Sequence, residues 1–177
     1  MKIIIIFILF LIIVIFFNFF FYISTNKRTM RRYTDDDVKA GTINEQRVLP
    51  VINNFFNCKF SHTTDKYNPI DFRCDKEKIL VEVKTINNKH DGYYQLMIGN
   101  NKIQHALKYI GCDWDFYIVF SCRDGDYIYQ LTKDRYDRKN IRKCGRTDRG
   151  FNEIKDYYFI NNNLLQQIDM NSVLVYE

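Results

Sequence analysis

The chain has 177 residues, 27% of them charged and 46% hydrophobic, with a formal net charge of +5 at pH 7. That length allows one domain, and no repeat or low-complexity tract divides it. Five cysteines (Cys58, Cys74, Cys112, Cys122 and Cys144) stand apart with no C-x-x-C pair; this excludes zinc-ligand spacing and fits free thiols better than a disulfide framework.

Residues 3–23 (IIIIFILFLIIVIFFNFFFYI) are apolar apart from Asn18. As a helix they would rise about 31 Å, close to the thickness of a hydrocarbon core. The stretch is longer than a signal-peptide core, and no A-x-A cleavage pattern follows it. The expectation is one N-terminal transmembrane helix, with residues 1–24 as the anchor. Lys2 alone precedes the span, whereas Lys27, Arg28, Arg31 and Arg32 follow it. The positive-inside bias therefore predicts a single-pass protein whose folded part, residues 38–177, faces the cytoplasm. Residues 25–37 read as a linker, basic and then acidic. Its closing Asp35, Asp36 and Asp37 suit the first turn of a helix, where amide groups are unpaired and the dipole favours negative charge.

Residues 38–56 read as that helix, with Val48, Leu49, Ile52, Phe55 and Phe56 at helical spacing. Glu45 lies three and four residues before Val48 and Leu49, on or beside the apolar face, where a lone carboxylate is costly. Pro50 either kinks the helix or opens a second one. Ile70–Cys74 and Ile79–Thr85 flank the polar turn DKEK and read as a hairpin. Tyr93–Ile98 is a third strand. Asn100 or Asn101 caps a helix whose core stripe is Ile103, Ala106, Leu107 and Ile110, and Gly111 stops it. Asp115–Ser121 and Tyr127–Leu131 are strands joined by Arg123-Asp124-Gly125-Asp126. DYYFI (156–160) is a short strand and NNNLLQQI (161–168) a short final helix. Helices and strands in this order predict an α/β domain with a mixed sheet.

Within the hairpin, ILVEVKT sets Glu82 and Lys84 two residues apart, hence on one face of the strand. An antiparallel neighbour can bring Asp71 opposite them. Two carboxylates with a lysine beside them make a hard-cation site of the kind that takes Mg²⁺ or Mn²⁺, with water and phosphate completing the shell. The competing reading is an ordinary solvated strand face, its Glu/Lys pair contributing about 0.2–1 kcal/mol. Asn68-Pro69-Ile70-Asp71 followed by Ile79-Leu80-Val81-Glu82-Val83-Lys84 resembles the PD-(D/E)XK nuclease superfamily, also called restriction-endonuclease-like. Here proline stands two residues before the aspartate instead of next to it. The resemblance covers about residues 38–121. It implies an αβββαβ core with a three-strand meander, Asp71 and Glu82 as metal-binding acids, and Lys84 as the catalytic lysine. Glu45 matches the acid that many members place on the first helix. Gln104 matches the glutamine of a helix element whose tyrosine is displaced by one position here, at Tyr109; Lys102 on the same helix could touch phosphate.

Residues 133–149 carry eight basic and three acidic side chains, a net +5. Lys133, Arg135, Arg138, Lys139, Arg142, Lys143, Arg146 and Arg149 therefore form either a nucleic-acid contact or an ordinary solvated loop. The histidines (His62, His90 and His105) read as surface or satisfied polar groups, and Trp114 and most tyrosines as core. Two functions are compatible with these features. One is a membrane-anchored, Mg²⁺- or Mn²⁺-dependent nuclease. The other is a catalytically inactive module of the same fold that binds nucleic acid, anionic lipid or a protein partner at the membrane.

Overall fold

A computed structural model of the chain describes residues 35–63, 69–145 and 154–172. The apolar stretch 3–23, the linker up to Thr34, Asn68, Arg146 and Arg149 lie outside these residues. No helix among the described residues is long and apolar enough to cross a membrane.

Helix α1 (Asp35–Phe55) takes in the three aspartates and runs unbroken through Pro50. Proline removes the hydrogen bond to the Gln46 carbonyl. Both Pro50 and Gln46 are exposed, so that carbonyl can turn to water at little cost. The strands that follow are β1 (Ser61–His62), β2 (Phe72–Cys74), β3 (Ile79–Thr85) and β4 (Gln95–Gly99). Helix α2 (Asn100–Ile110) separates β4 from β5 (Asp115–Cys122), and β6 (Gly125–Leu131), β7 (Ile141–Cys144), β8 (Lys155–Asn161) and β9 (Gln166–Ile168) complete the order.

The main sheet has six strands in the order β1-β2-β3-β5-β6-β9. β2 and β3 form the expected hairpin, with Phe72 opposite Val81 and Cys74 opposite Ile79. β3 and β5 run parallel, from Ile79 opposite Asp115 to Thr85 opposite Ser121. The sheet is therefore mixed, as the α/β reading expects. Alternation along β3 divides its residues between two cores. Ile79, Val81 and Val83 pack with Val48, Ile52 and Phe55 of α1. Leu80 packs on the other face with Ile103 and Ala106 of α2. Glu82 and Lys84 follow Leu80 in parity, so both lie on the α2 face.

Three features differ from the expectation. The third strand, β4, does not complete a meander beside β3. It pairs antiparallel with β8 in a second sheet ordered β4-β8-β7. β3 has only two edges, and β2 and β5 occupy both. The residues expected as a final helix form a 3-10 turn, Asn162–Leu164, and the short edge strand β9, which pairs with β6 and buries Ile168 under α1. Part of the basic segment, expected as a loop, is the edge strand β7.

A polar cluster fixes α1 on the sheet. Arg47 donates to both oxygens of Asp126, at 2.9 and 2.5 Å, and to Ser121 Oγ at 2.7 Å. Asn44 bridges Ser121 and Thr85. Asp126 is buried, but its charge and hydrogen-bonding capacity are met by one planar guanidinium.

Candidate active site: an acid pair on adjacent strands

Continuing the β2–β3 register one step beyond Phe72–Val81 sets Asp71 opposite Glu82. The segment leading to Asp71 is held from outside. Thr63 donates its amide to the Asp71 carbonyl at 2.9 Å, and its hydroxyl donates to the Ile70 carbonyl. Facing β3, it is the Asp71 carboxylate that accepts the Val83 amide, at 2.7 Å. The side chain thus takes an amide that a strand carbonyl would otherwise use, and this bond fixes the carboxylate beside Glu82. Glu82 stands mid-strand and is only 5% exposed.

Two acids meet here, Glu82 buried and Asp71 half-buried. Burial is the largest effect on Asp71 and pushes its carboxyl up; the Val83 amide and Lys102 pull it down, while Glu45 pushes it up again. Burial and then repulsion by Asp71 hold Glu82 well above the ordinary carboxylate range, with Lys102 opposing. Among the described residues, the ammonium in contact with the pair is that of Lys102, whose Nζ lies 2.8 Å from Oε1 and 3.0 Å from Oε2 of Glu82. A pair of hard oxygen donors with one more negative charge than the lysine offsets is a donor set that fits Mg²⁺ or Mn²⁺.

The remaining predicted residues fall at different distances from this pair. Lys84 shares the Glu82 face, is exposed and makes no ion pair among the described residues. Glu45 is close enough to act on Asp71, but its Oε2 bonds His62 Nε2 at 2.8 Å. His62 is thus a satisfied polar group, as expected, and it engages the carboxylate of the first-helix acid. Gln104 donates to the Tyr136 hydroxyl at 3.1 Å and so joins α2 to the basic segment. In that segment Arg135 lies over Tyr129, and Arg142 lies over Phe159 and donates to Gln95. Lys133, Arg138, Lys139 and Lys143 are exposed and make no ion pair among the described residues. All five cysteines are free, and burial pushes the Cys58 thiol up to about 12 and that of Cys122 to about 11, which disfavours the thiolate form of both.

The contact of Lys102 with Glu82 is absent from the sequence reading, although the sequence holds a signal for it. Lys102 sits in the first turn of α2, which has no acidic residue there. A cation at a helix N-terminus opposes the dipole and implies a carboxylate partner elsewhere. A second cluster likewise escapes the sequence. The ligand atoms of His90, Asp91 and Asp124 lie within 4.8 Å of one another and could hold a metal ion. The His90 ring stacks on Tyr127 at 4.1 Å, and His90 donates its amide to Asp124 at 2.9 Å and shares a 2.7 Å hydrogen bond from Nδ1. Burial would push Asp124 up, but these bonds to His90 hold it down at about 2. The arrangement fastens the loop after β3 to the β5–β6 turn.

A hairpin carrying opposed acids, flanked by a helix on each face and continued by a parallel strand, fits the PD-(D/E)XK nuclease arrangement, apart from the meander that β4 does not complete. A family model described as "Phage putative PDDEXK endonuclease" matches residues 30–169, and the chain belongs to that family. No curated protein matches it.

Proposed function

We propose that the chain hydrolyses nucleic-acid phosphodiester bonds at the Asp71–Glu82 pair with a divalent cation, Mg²⁺ or Mn²⁺. The observation that carries this reading is the burial of Glu82 opposite a second carboxylate, with a single lysine to offset the two charges. Asp71 and Glu82 would hold the cation, with Glu45 as a third ligand if its carboxylate turns away from His62. Bound there, the cation would supply Lewis-acid polarisation of a phosphoryl oxygen and a lowered pKa for water. The residues do the rest. The Val83 amide keeps the Asp71 carboxylate aimed at the cation site. Lys84, with no ion pair to break among the described residues, orients the attacking water or offsets the charge that develops on phosphate. Lys133, Arg138, Lys139 and Lys143 contact backbone phosphates, which makes binding salt-sensitive and largely independent of sequence. Residues 3–23 tether the domain, residues 38–177, to a membrane on its cytoplasmic side; that part of the proposal rests on the sequence of the span and its flanks.

The test is cleavage of DNA and RNA by the purified chain with Mg²⁺, with Mn²⁺ and with EDTA. Cleavage that needs the cation supports the reading. Tight, salt-sensitive binding with no cleavage under any of these conditions would select the inactive binding module instead.

A further inference from the structure

Both oxygens of Glu82 are already engaged by an ammonium. Lys102 Nζ reaches Oε1 at 2.8 Å and Oε2 at 3.0 Å, so a cation binding at Glu82 meets a resident competitor. The backbone that carries this lysine is fixed: Ile103 and Ala106, on the same helix, are buried in the core on the α2 face. The lysine stem is long and flexible and ends in a compact point charge, and its side chain is one quarter exposed. Lys102 can therefore leave Glu82 without any movement of α2. Lys84, which belongs to the E-x-K motif, is exposed and has no such engagement among the described residues.

We propose that Lys102 is a positioning residue that occupies the cation site of the acid pair and must be displaced from Glu82 for a divalent ion to bind. This rests on the reading of Asp71 and Glu82 as the cation site. Lys102 offsets the charge of Glu82 while no ion is bound, and it lowers the affinity for the ion by competing for the same oxygens. The two lysines then divide the work: Lys84 faces substrate, and Lys102 sets how readily metal loads.

The expected order of affinities is one that a purely structural ion pair would not produce. The full-length chain, in detergent, is titrated with Mn²⁺ alone, and free Mn²⁺ is read by electron paramagnetic resonance. Lys102→Met should bind Mn²⁺ about fivefold or more tighter than the wild type, a difference of about 1 kcal/mol. Lys102→Arg, whose fork grips a carboxylate through two parallel bonds, should bind it more weakly than the wild type. Lys84→Met should stay within about twofold of the wild type, too small a change to mark a competitor for the ion. Thermal melting of each variant identifies any that is unfolded, and Lys102→Gln replaces Lys102→Met if the latter fails. Affinity that is unchanged or weaker in Lys102→Met or its replacement, while Asp71→Asn still abolishes binding, overturns the role of Lys102 and leaves the acid pair as the metal site. Binding that is unchanged in Asp71→Asn and lost instead in Asp124→Asn, at the His90–Asp91–Asp124 cluster, overturns both.

Discussion

The main sheet buries charge in two places that are built on opposite plans. Where α1 crosses β5 and β6, Asp126 meets Arg47, with Ser121, Asn44 and Thr85 taking the remaining hydrogen bonds. Charge there sums to zero, and the geometry is bidentate. Where β2 meets β3, Asp71 and Glu82 face each other and share a single lysine. Nothing among the described residues completes the neutralisation. The first cluster holds a helix in place. The second sets two acids against one ammonium, so that ionising both costs stability, a cost that a divalent ion would relieve; this is the pattern expected where a site is kept for function.

Substitutions should separate the two plans. The largest effect is expected at the acid pair: Asp71→Ala or Glu82→Ala should lower metal-dependent cleavage by about a thousandfold, the upper range for removing one group that stabilises transition-state charge. Gel-based initial rates at saturating Mg²⁺ would measure this. If the Lys84 ammonium serves the phosphate and not the ion, as proposed, Lys84→Ala should cost about a hundredfold in the same assay while Mn²⁺ binding persists.

Arg47→Ala tests the other cluster. It leaves Asp126, 6% exposed, without its cation, while the arginine side chain itself is 53% exposed. The cost should be about 1–3 kcal/mol in chemical denaturation, below that of breaking a fully buried pair. Cleavage per folded molecule should not change.

The smallest effect is also the most diagnostic. Burial, and for Glu82 the repulsion from Asp71, holds both acids above their ordinary values. The folded chain therefore keeps protons that the unfolded chain has released. Stability contributed by these groups is fully present below the ordinary carboxylate value of about 4 and is lost as pH rises through their raised values. Asp71→Asn removes one of the charges and keeps an oxygen for the Val83 amide. In EDTA at pH 7 it should melt a few °C above the wild type, and the gap should close toward pH 4. A variant that is more stable and inactive would mark Asp71 as retained for chemistry; one that melts lower would place it with the structural cluster.

Much of this arrangement is legible in the sequence. The apolar run of β3 with E-x-K inside it, the helical spacing of α1 and α2, and the hairpin placing Asp71 opposite Glu82 all follow from local pattern. What is not legible depends on partners distant in sequence. β4 reads as a strand, but its sheet is decided by which edges remain free once β5 pairs with β3. Gln166–Ile168 has too few residues for a period, and its strand state comes from the exposed edge of β6. Pro50 admits two readings because the cost of losing the Gln46 bond depends on whether that carbonyl reaches water. Helical spacing brings Glu45 near the site, yet its partner, His62, lies on a two-residue strand that no pattern announces. Lys102 reads only as a phosphate contact, although a lysine in the first turn of α2 argues for a carboxylate within reach.

The Asp71–Glu82 pair, and not the His90–Asp91–Asp124 cluster, is the proposed metal centre. Isothermal titration of the full-length chain with Mn²⁺, paired with cleavage rates, compares wild type, Asp71→Asn and Asp124→Asn. Asp71→Asn is expected to lose both the binding that supports cleavage and the cleavage itself, while Asp124→Asn keeps both. Loss of binding and cleavage in Asp124→Asn, with Asp71→Asn active, would contradict that assignment.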